Sequence, residues 1–355
     1  MRILFLALTI IGLSCIWGST IFNGTLSVAN YAIAHAVLPS GRNLIVSVTG
    51  IPLLDYWIVM LIAFFDGLTN GSVLTANLLI WDLLCVIQCM AIWMMTDGYN
   101  LREQNALLHM PLVWVLLGNG IGWAFILPLY CLVRVGVPYP NRSGLSVGDS
   151  YGLLVASVIS FIPAPLTALP PFNLSQSRGQ HQAMIVVYLT TPLIFSGIQQ
   201  LLGRLIDQFQ YRKESNGTSR RTAINAYIVA AVVAGLGHLY VLFRALGTDN
   251  PAATLAEVFI PIQLDKFPAD LLTAGSHLFI QYDYIIVSLT CFCYIFGQLL
   301  PLLDIRAVGK PTLAVGLAVS TVLLGPGATL MLSLWARERK LQSDDSIVEK
   351  KALHR

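Results

Sequence analysis

Residues 73–96 have the sequence VLTANLLIWDLLCVIQCMAIWMMT, in which Asp82 is the only charged residue. The run exceeds the roughly 20 apolar residues that an α-helix needs to cross a bilayer. The rest of the chain has the same character. Of its 355 residues 56% are hydrophobic and 11% are charged, and the mean hydropathy is +0.71. Because soluble domains contain about 25% charged residues, the sequence predicts an integral membrane protein.

Further apolar segments on both sides of this run predict an all-α, polytopic transmembrane helical bundle with about 8–9 spans. The first segment follows Arg2 and lacks a clear cleavage site, so we expect a retained helix rather than a signal peptide. We assign residues 1–335 to a single transmembrane domain and residues 336–355 to a charged, flexible tail. The segments are 3–18, 51–69, 73–96, 107–133, 150–169, 183–206, 222–246, 278–302 and 311–335.

The basic residues leave the orientation of the tail open. If all nine segments cross, one side collects most of the Lys and Arg residues of the loops, including Arg2, Arg134 and Arg204. The positive-inside rule makes that side cytoplasmic. The same count puts the tail, with Arg337 and Arg339, on the opposite side. Either the tail is an exception or one segment is miscounted.

Acidic residues in or beside membrane segments are functional candidates, because inserting a charge costs roughly 2.5–3.5 kcal/mol. Asp55, Asp97 and Asp283 fall at one side in the nine-span count, as does Glu103 in the loop after Asp97. These acids could line one cavity, with nearby aromatic rings that tolerate cations. Alternatively, each acid ends a helix in the headgroup layer, and the rings form an interfacial belt.

The sequence lacks the motifs of several other classes of protein. The chain has no aspartate-rich motif for Mg²⁺ and diphosphate, and no phosphate-binding, dinucleotide-binding or zinc-protease motif. The six cysteines lie in apolar runs and the histidines lack ligand spacing, so we expect no metal site. A net charge of +3 gives no reason to expect a nucleic acid as partner.

A set of motifs, in order along the chain, resembles one family. These motifs resemble the membrane-bound terpene cyclases of fungal meroterpenoid pathways, the group typified by the ascochlorin, ascofuranone and macrophorin cyclases. They are LPSGRNLIVSVTGIPLLDYWIVMLIAFFDG at 38–67, TDGYNLREQN at 96–105, GNGIGWAFILPLYCLVR at 118–134, FIQYDY at 279–284 and LLGPGATLMLSLWARE at 323–338.

The resemblance implies an enzyme that protonates an epoxide or alkene of a farnesyl-type chain on a meroterpenoid precursor. Rings would then close through carbocations, and no metal or other cofactor would be needed. The candidate proton donors are Asp283, Asp97 and Asp55, with Glu103 as a further catalytic candidate. The candidate substrate-binding residues are Asn105, Asn119, Gln281, Tyr282, Tyr284, Trp93 and Trp123.

The expected partners are a lipophilic, prenylated small-molecule substrate and the lipid bilayer, and other enzymes of the pathway are further candidates. The expected location is the endoplasmic reticulum membrane. Two other interpretations remain open at this stage. Membrane acids and helices broken at Pro163–Pro165 or Gly325–Gly327 would suit a small-molecule transporter. A non-catalytic scaffold for other membrane enzymes would leave the acids scattered.

Overall fold

The computed structural model describes residues 1–101, 105–138, 145–169, 177–209, 216–248, 254–267, 269–302 and 309–353. These residues form helices and no β-strand, which confirms the predicted all-α class. The α-helices are α1 (Arg2–Leu13), α2 (Ser19–Phe22), α3 (Thr25–His35), α4 (Pro52–Thr69), α5 (Leu74–Asn100), α6 (Pro111–Ile121), α7 (Trp123–Arg134), α8 (Val147–Ile159), α9 (Pro163–Ala168), α10 (Arg178–Leu189), α11 (Thr191–Phe209), α12 (Asn216–Leu246), α13 (Leu255–Phe259), α14 (Leu271–Leu299) and α15 (Lys310–Leu353).

The helices form a bundle suited to a membrane, as predicted. Within the described residues, seven helical segments are long and apolar enough to cross a bilayer, or eight if α10 and α11, which meet at a 54° bend, form one span. One of the seven, α15, qualifies by length and composition but reverses at Gly325. Helix α5 lies at the centre and is buried on every side. Outer helices keep large apolar side chains exposed where lipid would cover them, among them Ile3, Leu53, Phe243 and Val322.

The predicted span 107–133 is wrong, because this segment is a helical hairpin that enters the bundle and returns. A Cβ atom on Gly98 would lie 2.7 Å from Pro111, so α6 begins beside the end of α5. Helix α7 ends at the same place, since Arg134 Nε lies 2.8 Å from Asp97 Oδ2. The chain reverses at Gly122, whose φ of 115° and ψ of 136° break the helix. Hydropathy cannot distinguish such a hairpin from a crossing, because both are apolar.

A second reversal interrupts α15 at Gly325, where φ is 82° and ψ is 158°. The hydroxyl oxygens of Ser320 and Thr329 lie 3.0 Å apart. A straight helix would separate residues nine positions apart by about 13 Å. The two arms of α15 therefore lie side by side, with Gly325 at the tip of a second hairpin.

Contacts at one end of the bundle resolve the conflict over the tail. Arg337 Nη1 donates to Gln298 Oε1 at 3.2 Å, near the end of α14. A Cβ atom on Gly297, also there, would lie 2.6 Å from Met1, and one on Gly136 would meet the Arg2 guanidinium. The start of the tail thus shares one end of the bundle with Arg2 and with Arg134. The positive-inside rule predicts that this end is cytoplasmic. The mobility of the tail and the single-domain assignment stay predictions.

Candidate active site

The tip of the first hairpin meets the middle of α14. Its turn at Gly122 uses a positive φ that glycine adopts without a steric penalty. The first N–H groups of α7 have no helical partners, and the N–H of Ala124 donates a hydrogen bond to Asp283 Oδ1. On the other side of the turn, the indole N–H of Trp17 donates to the carbonyl oxygen of Ile121 at 2.7 Å. The tip thereby places a helix N-terminus against a buried carboxyl group.

Beside this tip lies a cavity that opens in part to its surroundings, which we call the aromatic hollow. Its walls come from both sides of the bundle, so that residues distant in sequence face one space. Asp283 is the only charged residue among the described residues that line it. The lining residues are Trp17, Thr20, Thr25, Leu26, Ala29, Trp57, Met60, Leu61, Phe64, Phe65, Leu83, Ile87, Gly118, Asn119, Gly120, Ile121, Gly122, Trp123, Tyr188, Leu189, Phe279, Ile280 and Asp283.

Aromatic rings form a connected wall of the hollow. The rings of Trp17 and Trp57 stack with centroids 6.3 Å apart. Phe279 meets Trp17 edge-on at 5.9 Å and Phe64 at 4.8 Å. Faces of aromatic rings attract positive charge, so this wall could stabilise a cation next to it.

Two of the predicted substrate-binding residues, Asn119 and Trp123, lie in the same hollow as Asp283. The indole N–H of Trp123 donates to Asn119 Oδ1 at 3.1 Å, across the hairpin tip. The structure thus brings together three of the sequence-predicted site residues. Asp283 itself is 4% exposed, and no described side chain forms an ion pair with it.

Asp97 lies at the opposite end of α7 from Asp283 and does not line the hollow. It forms a buried ion pair with Arg134, with 2.8 Å between Oδ2 and Nε. The same oxygen accepts hydrogen bonds from Trp93 Nε1 at 3.0 Å and from the Tyr130 hydroxyl at 3.2 Å. Trp93 therefore also lies outside the hollow. These contacts join the base of the first hairpin to α5.

Asp55 organises the loop before α4. Its carboxylate accepts hydrogen bonds from the backbone N–H groups of Thr49 at 2.6 Å and Gly50 at 3.0 Å, and from the hydroxyl groups of Thr49 at 2.7 Å and Ser47 at 2.8 Å. Within the family motif at 38–67, the segment TGIPLLD at 49–55 therefore serves to fix this loop to the start of α4. Asp55 does not line the hollow.

The described residues of the loop after α5, Leu101 and 105–110, do not line the hollow. Asn105 accepts hydrogen bonds from the N–H groups of Leu107 at 2.9 Å and Leu108 at 3.1 Å, so its side chain holds a turn. Glu103 lies outside the described residues.

The FIQYDY segment sends its side chains to different places. Gln281 binds the backbone around α13, with its Nε2 2.6 Å from the carbonyl oxygen of Ile260 and its Oε1 3.0 Å from the N–H of Ile262. Tyr284 donates to Asp82 Oδ2 at 2.8 Å. Tyr282 is partly buried against the apolar core. None of these three side chains lines the hollow, although Asp283 between them does. Helical geometry causes this divergence, since neighbouring residues point about 100° apart.

Sequence reasoning missed three aromatic residues of the lining, Trp17, Phe279 and Tyr188. Trp17 lies in the first apolar segment and Tyr188 lies in α10, far along the chain from any candidate acid. Phe279 had a weak signal, because it precedes Asp283 by four residues and so shares its helix face. Only the three-dimensional arrangement brings the other two to Asp283.

Among the described residues, no group of three or more His, Cys, Asp or Glu side chains could hold a metal ion. Independence from metals nevertheless stays a prediction.

Comparison with known proteins shows one consistent family. The model of the CtvD domain matches residues 1–341. Curated relatives include terpene cyclase DEP1 of Alternaria brassicicola, 27% identical over 95% of this chain and 98% of that protein. They also include terpene cyclase alnG of Emericella nidulans, 27% identical over 83% of this chain and 82% of that protein. No solved structure matches the chain. The resemblance found in the motifs is confirmed: the chain belongs to the CtvD domain family, whose matching curated relatives are fungal proteins named terpene cyclases.

Proposed function

We propose that this protein is a membrane terpene cyclase in which Asp283 donates the initiating proton. The observation that carries the proposal is the position of Asp283, the only charged group among the described residues that line the aromatic hollow. The names of its relatives support the cyclase class. A transporter would instead need a polar path that reaches both faces of the membrane.

The surroundings of Asp283 suit a group that gives up a proton. Carboxyl groups without a cationic partner in apolar surroundings can carry a proton into a site that excludes water. When the proton leaves, the N–H of Ala124 and the N-terminus of α7 stabilise the carboxylate that remains. The hairpin tip therefore lowers the cost of the charge at the moment of transfer.

The proposed substrate is a farnesyl-type chain on a meroterpenoid precursor. The proton of Asp283 adds to an epoxide oxygen, so that a C–O bond breaks, or to an alkene carbon, so that the π bond breaks. Either step leaves a carbocation on the chain, which adjacent alkenes attack in turn to form rings. Loss of a proton ends the cascade, so that the product is an isomer of the substrate. Trp17, Trp57 and Phe279 stabilise the cations through their ring faces.

The reaction as proposed uses no metal and no other cofactor. The lipophilic substrate reaches the hollow from the bilayer, and the endoplasmic reticulum is the proposed membrane.

The direct test compares wild type with Asp283→Asn in microsomes supplied with an epoxyfarnesyl phenol. We expect wild type to form a cyclic isomer, and the variant to lose about 10²–10⁴-fold in turnover, the usual contribution of a general acid. Asp97→Asn, at the other end of α7, is the matched control and retains turnover per folded molecule. Full turnover in Asp283→Asn would overturn the proton-donor role, and no cyclic product from wild type would overturn the proposed substrate class.

A further inference from the structure

A smaller cavity, with room for little more than a single oxygen atom, adjoins the aromatic hollow. Ile87, Asn119 and Tyr188 line both cavities, so they form the boundary between them. We call the smaller cavity the side chamber. It lies beside the bend between α10 and α11, where Thr191 and Pro192 contribute to its wall. The remaining residues of its lining are Gln88, Ala91, Met95, Val115 and Phe195.

Tyr188 supplies a hydroxyl group at this boundary. Its side chain is buried, with 6% exposed, yet the hydroxyl forms no hydrogen bond with any residue that the structure describes. By contrast, the hydroxyl groups of Tyr130 and Tyr284 each donate to a carboxylate. The hydroxyls of Tyr227 and Tyr294 also lack a described partner but are fully buried, whereas Tyr188 borders both cavities and can bind a substrate atom there.

Asn119 supplies a second donor at the same boundary. The indole N–H of Trp123 can only donate, so its contact at 3.1 Å identifies the bound atom of Asn119 as the amide oxygen. This contact fixes the orientation of the carboxamide and leaves the Nδ2 N–H groups available. Nδ2 has no acceptor among the described residues. Tyr188 and Asn119 thus both offer hydrogen-bond donors.

We propose that the side chamber binds an oxygen atom in the head of the substrate, with Tyr188 Oη and Asn119 Nδ2 as its donors. The inference rests on the proposed function, since it places the farnesyl-type chain in the aromatic hollow beside Asp283. Two donors require an acceptor, so the bound group is a phenol, ether or carbonyl oxygen. Apolar residues around the donors, including Val115 and Phe195, shield the bound oxygen from water. Tyr188 and Asn119 are therefore specificity-determining residues.

Three substrates that differ at one position test this inference: an epoxyfarnesyl phenol, its methyl ether, and the epoxyfarnesyl benzene that lacks the oxygen. We expect Tyr188→Phe and Asn119→Leu each to raise KM about 10-fold for the phenol and for the ether, which is the loss expected for one hydrogen bond at about 1.4 kcal/mol. KM for the benzene stays unchanged. Tyr151→Phe, on the exposed surface of α8, is the matched control and behaves as wild type with all three.

The three substrates separate the possible failures. If wild type cyclises all three, and both variants change KM equally for all three or for none, the side chamber does not bind the oxygen and the inference is overturned. The proposed function survives that result. If wild type cyclises none, the proposed substrate class fails and the inference fails with it. A variant that misfolds would lose the benzene substrate as well, so retained turnover of the benzene shows that the site is intact.

Discussion

The two helical hairpins share one design but have different surroundings. Each reverses at a glycine with positive φ, Gly122 in the first and Gly325 in the second, and each tip lies deep in the bundle near a buried aspartate. At the first tip, Asp283 receives a backbone N–H and faces the aromatic hollow. At the second tip, the ring of His238 packs against Gly325, and neither residue lines the hollow.

The acid near the second tip already has its partners. Asp82 Oδ2 lies 2.7 Å from His238 Nδ1 and accepts a hydrogen bond from Tyr284 at 2.8 Å. The other ring nitrogen of His238 lies 3.1 Å from the carbonyl oxygen of Val322, in the first arm of the hairpin. The comparison indicates that a reversed helix forms a candidate site only where the neighbouring carboxyl group faces a cavity, as Asp283 does. Where other side chains bind the carboxyl group, as at Asp82, the reversed helix instead links neighbouring helices through hydrogen bonds.

The largest effect on stability is expected at the base of the first hairpin. Replacing Arg134 with Met leaves Asp97 buried without its cation, which should lower the free energy of unfolding by about 3–5 kcal/mol. Turnover per folded molecule should stay close to wild type, because the ion pair lies away from the hollow. Denaturation in detergent, with activity assayed on the folded fraction, measures both.

The double variant Asp97→Leu/Arg134→Met sharpens this test, since replacing a buried ion pair with apolar residues is often nearly neutral. It should recover part of the lost stability. If Arg134→Met has the same unfolding midpoint as wild type, the ion pair does not stabilise the hairpin.

The two tips themselves should respond differently to one added methyl group. Gly122→Ala and Gly325→Ala each force a left-handed conformation on alanine and should cost about 1–3 kcal/mol of stability. Only Gly122→Ala should also lower turnover per folded molecule, because its methyl group would lie 2.6 Å from Ile16 and 3.2 Å from Phe279 beside the hollow. Thermal unfolding and product formation by the folded fraction separate the two effects.

Matched control glycines lie on the same hairpins. A Cβ atom on Gly120 or on Gly316 would meet nothing within 4 Å, and alanine favours a helix over glycine by about 1 kcal/mol. Gly120→Ala and Gly316→Ala should therefore keep or raise stability. Equal losses of turnover in Gly122→Ala and Gly325→Ala would contradict the conclusion that only the first hairpin tip borders the proposed active site.

The smallest effect on stability is expected at Asp82, the buried aspartate near the second hairpin tip. Tyr284→Phe removes one hydrogen bond to Asp82 but leaves His238 in place, so the loss of stability should be about 1 kcal/mol. Tyr240→Phe, on α12, is the control. A shift in the unfolding midpoint of the Tyr284 variant beyond that of the control measures the bond, and a loss as large as that of Arg134→Met would mean that Asp82 depends on Tyr284 alone.

The candidate site was only partly predictable. Asp283 and Asn119 could be selected from the sequence because polar groups in apolar segments are rare and costly. The choice between Asp283 and Asp97 could not be made, since each occurs in a membrane segment and in a motif of the family. The choice rests on Arg134, 37 residues beyond Asp97, whose pairing no local pattern reveals. Trp17 and Tyr188 were missed for the same reason.

The sequence by itself determined that this protein is an all-α membrane protein of the CtvD domain family, because hydropathy and motifs are properties of short segments. The tertiary structure alone decided which apolar segments reverse instead of crossing, and which end of the bundle holds the tail. It also decided that Asp283 faces the aromatic hollow, while Asp97 and Asp82 are bound by neighbouring side chains. These outcomes depend on contacts between helices far apart in the chain, where a single cation, ring or glycine turn changes what a buried carboxyl group can do.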